Sequence, residues 1–181
     1  MKRDAKKSRK QYLNDFTPAL NGDYVYTGGY YRPEMDHAVF SQFRVRFIIS
    51  VIISAIFVFA AGLLPAAGST NCFYVILPFL AVLICCFVKT GKAGRLFLSG
   101  FRVREYVYLK TVPLLPGWTI AETACAAITL LAEAIFLLIN GFEGRVLYTV
   151  VYICLIILTM IADLMMLKNI RKLRWIEEVP E

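Results

Sequence analysis

Histidine is nearly absent from this chain: His37 is the only one among 181 residues. Catalysis that needs a histidine base has one candidate, and there is no set of histidines to hold zinc or iron. The five cysteines are Cys72, Cys85, Cys86, Cys125 and Cys154. Four of them fall inside apolar runs, where a free thiol behaves as a small hydrophobe. None stands with histidine at metal-ligand spacing, which argues against a zinc site and a disulfide framework. No Lys-Ser or Lys-Thr follows Gly28-Gly29, so this pair is not a phosphate loop. A secretory signal peptide is also missing. A long polar segment precedes the first apolar run near Phe47, and no small-residue cleavage site follows it; the run is expected to remain as an anchor. With no nucleophile or metal set in view, the expectation is a protein that is not an enzyme and carries no cofactor and no metal.

What the chain has in excess is apolar sequence. Hydrophobic residues make up 59%, against about 45–50% in average soluble domains, and the mean hydropathy is +0.62. The excess lies in four blocks, about 47–64, 72–88, 118–140 and 146–167, each long enough to approach or cross a hydrocarbon layer. The fold class expected is all-α: an integral membrane four-helix up-down bundle over residues 33–181. A small cytosolic basic and aromatic segment over 1–32 precedes it, with a possible short β-hairpin.

Residues 1–10 are basic and suit a solvated tail near anionic headgroups. Asp23 to Arg32 reads as two extended pieces turning at Gly28-Gly29. Pro33, with Glu34 and Asp36 beside it, reads as the first turn of a helix that enters the bilayer. Ser50, Ser54 and Ala61 share a stripe of small residues suited to close helix packing. Pro65 to Asn71 is a short uncharged turn. Pro78 interrupts the second span and is expected to kink it. Lys89 to Gly117 reads as a long connection in the headgroup layer, alternating bases with apolar residues. Trp118 opens the third span at the interface, and Asn140-Gly141 is a helix stop.

Charge placement orients the chain. Nineteen of the 20 lysines and arginines fall before the first span, in the long connection or after the last span. Only Arg145 lies on the other side. The positive-inside rule then predicts a multi-pass cell-membrane protein with cytoplasmic N- and C-termini and both short turns outside. The net charge of +7 flanks the spans, which points to the lipid bilayer and not to nucleic acid. Arg95, Arg102, Arg104, Lys168, Arg171 and Lys172 are the candidate contacts for lipid or a partner.

Three acids fall within spans: Glu122, Glu133 and Asp163. Such residues are functional candidates because each costs roughly 2.5–3.5 kcal/mol at a helix centre. Glu122 and Asp163 lie about one turn from a span end, so interfacial solvation or pairing with Lys168 or Arg171 is expected. Together with Thr159 they form a candidate cytoplasmic-end polar cluster. Glu133 is deeper, roughly 22 Å of helix rise from Trp118 and about 10 Å from Asn140. Glu122, Ala126, Thr129, Glu133 and Asn140 share one stripe of the third span. Tyr148, Tyr152, Thr159 and Asp163 share one on the fourth. Antiparallel packing of the two stripes predicts a polar site of Glu133, Thr129, Tyr148 and Tyr152, with a hydrogen bond from Glu133 to one tyrosine.

The phrases Asn71-Cys-Phe-Tyr-Val-Ile-Leu-Pro78 and Arg104-Glu-Tyr-Val-Tyr-Leu-Lys110 give the chain a resemblance to small four-span membrane proteins of Gram-positive bacteria. The resemblance implies the four-span fold and transfers no activity. Small multidrug exporters also have four spans and a membrane glutamate. Theirs lies in the first span of a shorter chain, so the pattern here departs from that family. Two functions follow as expectations. The first is a membrane scaffold or accessory subunit that binds lipid, a protein partner or further copies of itself as a homo-oligomer, through its basic cytosolic face. The alternative is a small proton-coupled transporter using Glu133.

Overall fold

The computed structural model describes residues 16–18, 24–26 and 28–178. The basic run over 1–10 lies outside them. Four helices long and apolar enough to cross a membrane dominate the structure: α1 (His37–Leu63), α2 (Phe73–Leu98), α4 (Leu115–Asn140) and α5 (Val146–Ile170). A short helix, α3 (Glu105–Thr111), precedes α4. The four long helices form an up-down bundle in which α1 packs on α2 and α5, and α4 packs on the same two.

The burial pattern is that of a body made for an apolar solvent. Leu63, Phe73, Leu98 and Leu138 are among the most exposed side chains. Ser54, Lys89, Thr119, Glu122, Thr129, Glu133, Thr149, Thr159 and Asp163 are all buried. With lipid outside, apolar groups gain little by hiding, and polar groups find partners only in the interior.

Three apolar clusters are stacked along the bundle. Phe47, Val51, Phe97, Leu115 and Met166 pack near the end that carries the chain termini. Val58, Val82, Ala126, Tyr152 and Ile156 fill the middle. Ala67, Val75, Ala132 and Phe136 close the end that carries the short turns. At that end Gly141, Glu143 and Gly144 all take positive φ, and the Gly141 N–H donates to the Leu137 carbonyl at 2.9 Å. This is the stop that Asn140-Gly141 predicts. The turn after α1 does not stay on the surface. Ala66 and Ala67 are fully buried, and the Ala67 N–H donates to Thr149 Oγ1 at 3.0 Å.

The end carrying the termini is tied by a small sheet. Strand β3 (Tyr30–Pro33) runs between β4 (Val103–Arg104) and β5 (Trp175–Glu178), antiparallel to both. Tyr31 stacks on Tyr108 with centroids 4.0 Å apart, and Tyr108 meets Trp175 edge-on at 5.6 Å. A separate two-stranded ladder joins β1 (Phe16–Pro18) to β2 (Tyr24–Tyr26).

Several sequence expectations need correction. The extended pieces flanking Gly28-Gly29 exist, but they do not pair with each other: β2 joins β1, and β3 joins β4 and β5. Pro33 ends a strand, and α1 starts at His37 after Asp36. Proline has no N–H to give, so it fits the end of a ladder as well as a first helical turn. The second span continues as helix to Leu98, which removes Lys89 from the connection. The third span starts at Leu115, with Pro116 in its first turn.

Phe47 is 1% exposed and its ring lies 4.9 Å from that of Phe97, while Leu98 is 87% exposed. Phe47→Ala should lower bundle stability by about 3 kcal/mol, and Leu98→Ala by well under 1 kcal/mol. Reversible unfolding in mixed micelles with increasing denaturing detergent measures both. Equal losses would contradict this assignment of inner and outer faces.

Candidate intramembrane site

All four long helices contribute to one buried polar cluster. Lys89 projects inward from α2 with no exposed side-chain surface. Its Nζ lies 2.5 Å from Asp163 Oδ1 on α5, 2.8 Å from Glu122 Oε2 on α4 and 2.9 Å from Ser54 Oγ on α1. An ammonium has three hydrogens, and here three oxygens surround it. Ser54 Oγ also donates to Asp163 Oδ1 at 3.2 Å. The ammonium offsets the cost of burying these two acids in their charged form.

Lys89 is the member of the cluster that sequence reasoning missed. It follows Val88 at the end of an unbroken apolar run, so it looks like a boundary charge. The readable signal is helical period. Val82, Cys86, Ala93 and Leu96 are buried at spacings that place Lys89 on the same stripe. Glu122 and Asp163 are fully buried with Lys89, not solvated at the interface. Lys168 and Arg171 remain exposed and line a surface depression with Leu164 and Leu167. Ser54, which the small-residue stripe marks only for packing, belongs to the cluster. Thr159 is buried nearby on α5, but its hydroxyl donates to the Leu155 carbonyl of its own helix at 2.9 Å.

Glu133 forms a second, separate centre. It too is fully buried, on the turn-end side of Ala126, and neither carboxyl oxygen has a hydrogen-bond partner among the described residues. Tyr152 is buried, and its hydroxyl has no hydrogen-bond partner among the described residues either. The expected Glu133–tyrosine hydrogen bond is therefore not made. Tyr148 is 47% exposed on the outer surface. The buried arc of α5 runs through Thr149, Tyr152, Ile156, Thr159 and Asp163, and Tyr148 stands at its edge. Thr129 is buried and donates to the Cys125 carbonyl at 2.9 Å.

Among the other candidates, Arg95, Arg102, Arg104 and Lys172 are exposed at the end carrying the termini. Arg102 Nε is 3.1 Å and Arg32 Nε 3.4 Å from Glu178. Such exposed pairs contribute little to stability. The Arg104 guanidinium lies over the Tyr26 ring at 5.3 Å. No group of three or more His, Cys, Asp or Glu suited to a metal ion occurs among the described residues. Comparison with protein-family models, curated proteins and solved structures finds no match.

Removing the ammonium alone should be the most damaging change. Lys89→Met leaves two buried carboxylates without a cation and should cost about 3–5 kcal/mol. Combining it with Glu122→Gln and Asp163→Asn should restore most of that stability, because the cluster then carries no charge. Detergent-unfolding curves followed by tryptophan fluorescence give the comparison. A triple variant as unstable as the single one would show that the loss comes from packing and not from charge.

Proposed function

We propose that this is an integral protein of the cell membrane, with both termini in the cytoplasm and both short turns outside. We propose further that it serves as a non-enzymatic scaffold or accessory subunit, holding lipid or a partner against its cytoplasmic end. Among the described residues, with Lys89 inside the bundle, twelve of the remaining thirteen Lys and Arg belong to segments at the end carrying the three-stranded sheet, against Arg145 at the other. That distribution supports the orientation.

The observation that carries the reading is the folded head. Three segments far apart in sequence meet in the β4-β3-β5 sheet. Exposed bases surround it on the helix ends: Arg46, Arg95, Lys110, Lys168, Arg171, Lys172 and Arg174. Bases at such a boundary favour anionic headgroups, each by about 1 kcal/mol. A folded, basic head joined to a packed bundle fits holding better than turnover. The transporter alternative draws on the buried, unpartnered Glu133. However, Val58, Val82, Ala126 and Ile156, all without exposed surface, separate Glu133 from the Lys89 cluster, and the packing favours the scaffold.

Native mass spectrometry after gentle extraction tests the headgroup contact. The protein should retain anionic phospholipid over zwitterionic phospholipid. Lys168→Gln, Arg171→Gln and Lys172→Gln together should lower that retention by about an order of magnitude while leaving the unfolding midpoint in place. Unchanged retention would sink the proposed role of the basic face.

A further inference from the structure

The two buried acidic centres are chemically unlike. Glu122 and Asp163 each touch the Lys89 ammonium. Glu133 touches no charged group among the described residues, and both its oxygens lack a hydrogen-bond partner. The groups that face it come from three sides. Tyr152 of α5 presents a buried hydroxyl that is likewise unpartnered. At the start of α2 stand Tyr74 and Cys72, and the Cys72 N–H donates to the Gly68 carbonyl at 3.0 Å. Thr129 and Phe136 flank it on its own helix. The Glu133 and Tyr152 side chains are both buried and neither has a hydrogen-bond partner among the described residues, and such groups call for an explanation.

What covers Glu133 is equally specific. The turn Pro65–Asn71 folds inward at this point. A Cβ added at Gly68 would stand 3.1 Å from Glu133 Oε2 and 2.8 Å from Phe136 Cγ. Only glycine allows the turn to sit this close. The turn is held by the Ala67 N–H on Thr149 Oγ1 at 3.0 Å and by Arg145 Nη1 on Thr70 Oγ1 at 2.8 Å. The Arg145 bond is exposed, so the cover is fastened partly by contacts that water can replace. Toward the other end of the bundle, Glu133 meets the apolar layer of Val58, Val82, Ala126 and Ile156.

We infer that Glu133 is a reversible proton-binding site reached from the turn end only, with Pro65–Asn71 as its cover. The ligand is a proton delivered by water when the turn lifts. The neutral acid has one hydrogen to donate and the ionised form only accepts, so the two states ask for different partners. Because the apolar layer closes the inner side, the site binds a proton without passing it across. This inference stands apart from the scaffold reading: it concerns the opposite end of the bundle and survives if the basic face binds nothing.

Carbodiimide labelling of the full-length protein in lipid nanodiscs tests it. A membrane-soluble carbodiimide reacts with a carboxylic acid. The acid proton passes to a carbodiimide nitrogen and the carboxyl oxygen bonds to the central carbon. Rearrangement then gives a stable N-acylurea that retains the whole reagent, and peptide mass spectrometry locates it. Glu133 should be labelled in acid, and labelling should fall about tenfold or more as the pH is raised, after correction against a small carboxylic acid in the same bilayer. Glu122 and Asp163 should stay unlabelled. A water-soluble carbodiimide should leave Glu133 of the unaltered protein untouched and should label it in Gly68→Val, whose side chain forces the turn outward. Phe136→Ala opens the same contact if Gly68→Val does not fold. Absence of Glu133 label in acid, or label independent of pH, would overturn the proton site. Label on Glu122 instead would move it to the Lys89 cluster. Protection from the water-soluble reagent in both opened variants would overturn the cover.

Discussion

A single ammonium holds the centre of this protein together. Each of the other three long helices brings one residue to Lys89, and no other charged contact in the described structure joins all four. In water such a cluster is an uncertain source of stability, because solvation lost on burial offsets the attraction gained. In a bilayer the comparison changes. A helix carrying Glu122 or Asp163 has no water to return to, and its carboxylate favours any arrangement that offers a cation. The apolar surfaces of the helices are nearly indifferent to whether they face lipid or protein. The polar contacts therefore set helix order and rotation, and the apolar clusters fill in around them.

This explains which parts of the fold were legible in the sequence. Four spans and the glycine stop after Asn140 are readable because they depend on local composition. The antiparallel contact of the third and fourth spans follows from the short turn between them. Lys89 was not legible from composition, since a lysine after Val88 looks like the end of a span. Its burial depends on Glu122 and Asp163, which come 33 and 74 residues later. The same limit applies to the head. Tyr24–Tyr26 and Tyr30–Pro33 are readable as extended pieces, but pairing at long range decides their partners. A hairpin through Gly28-Gly29 was the nearest local solution, and the tertiary structure offered a better one. For Glu133, the stripe identified a buried position but not the outward rotation of Tyr148.

The Gly68 turn shows how a short connection can contribute to the interior. Its backbone enters the bundle because its one inward donor has a threonine acceptor and because glycine removes the atom that would collide. Irregular backbone at such depth is tolerated where it is enclosed by protein. The end of the bundle that carries the short turns is thus covered by chain that belongs to no helix, while the opposite end carries a sheet.

That sheet has a consequence for how the molecule is made. Strand β3 lies in the middle of it, between a strand more than 70 residues later and one more than 140 later. While the ribosome is still producing the spans, β3 has a complete row of backbone groups and no neighbour on the β5 side. It stays one-sided until Trp175–Glu178 emerge, long after α1 has entered the bilayer. Closure of the head is therefore a late event that reports arrival of the last helix, and a chain interrupted in α5 would leave an open strand edge at the membrane surface.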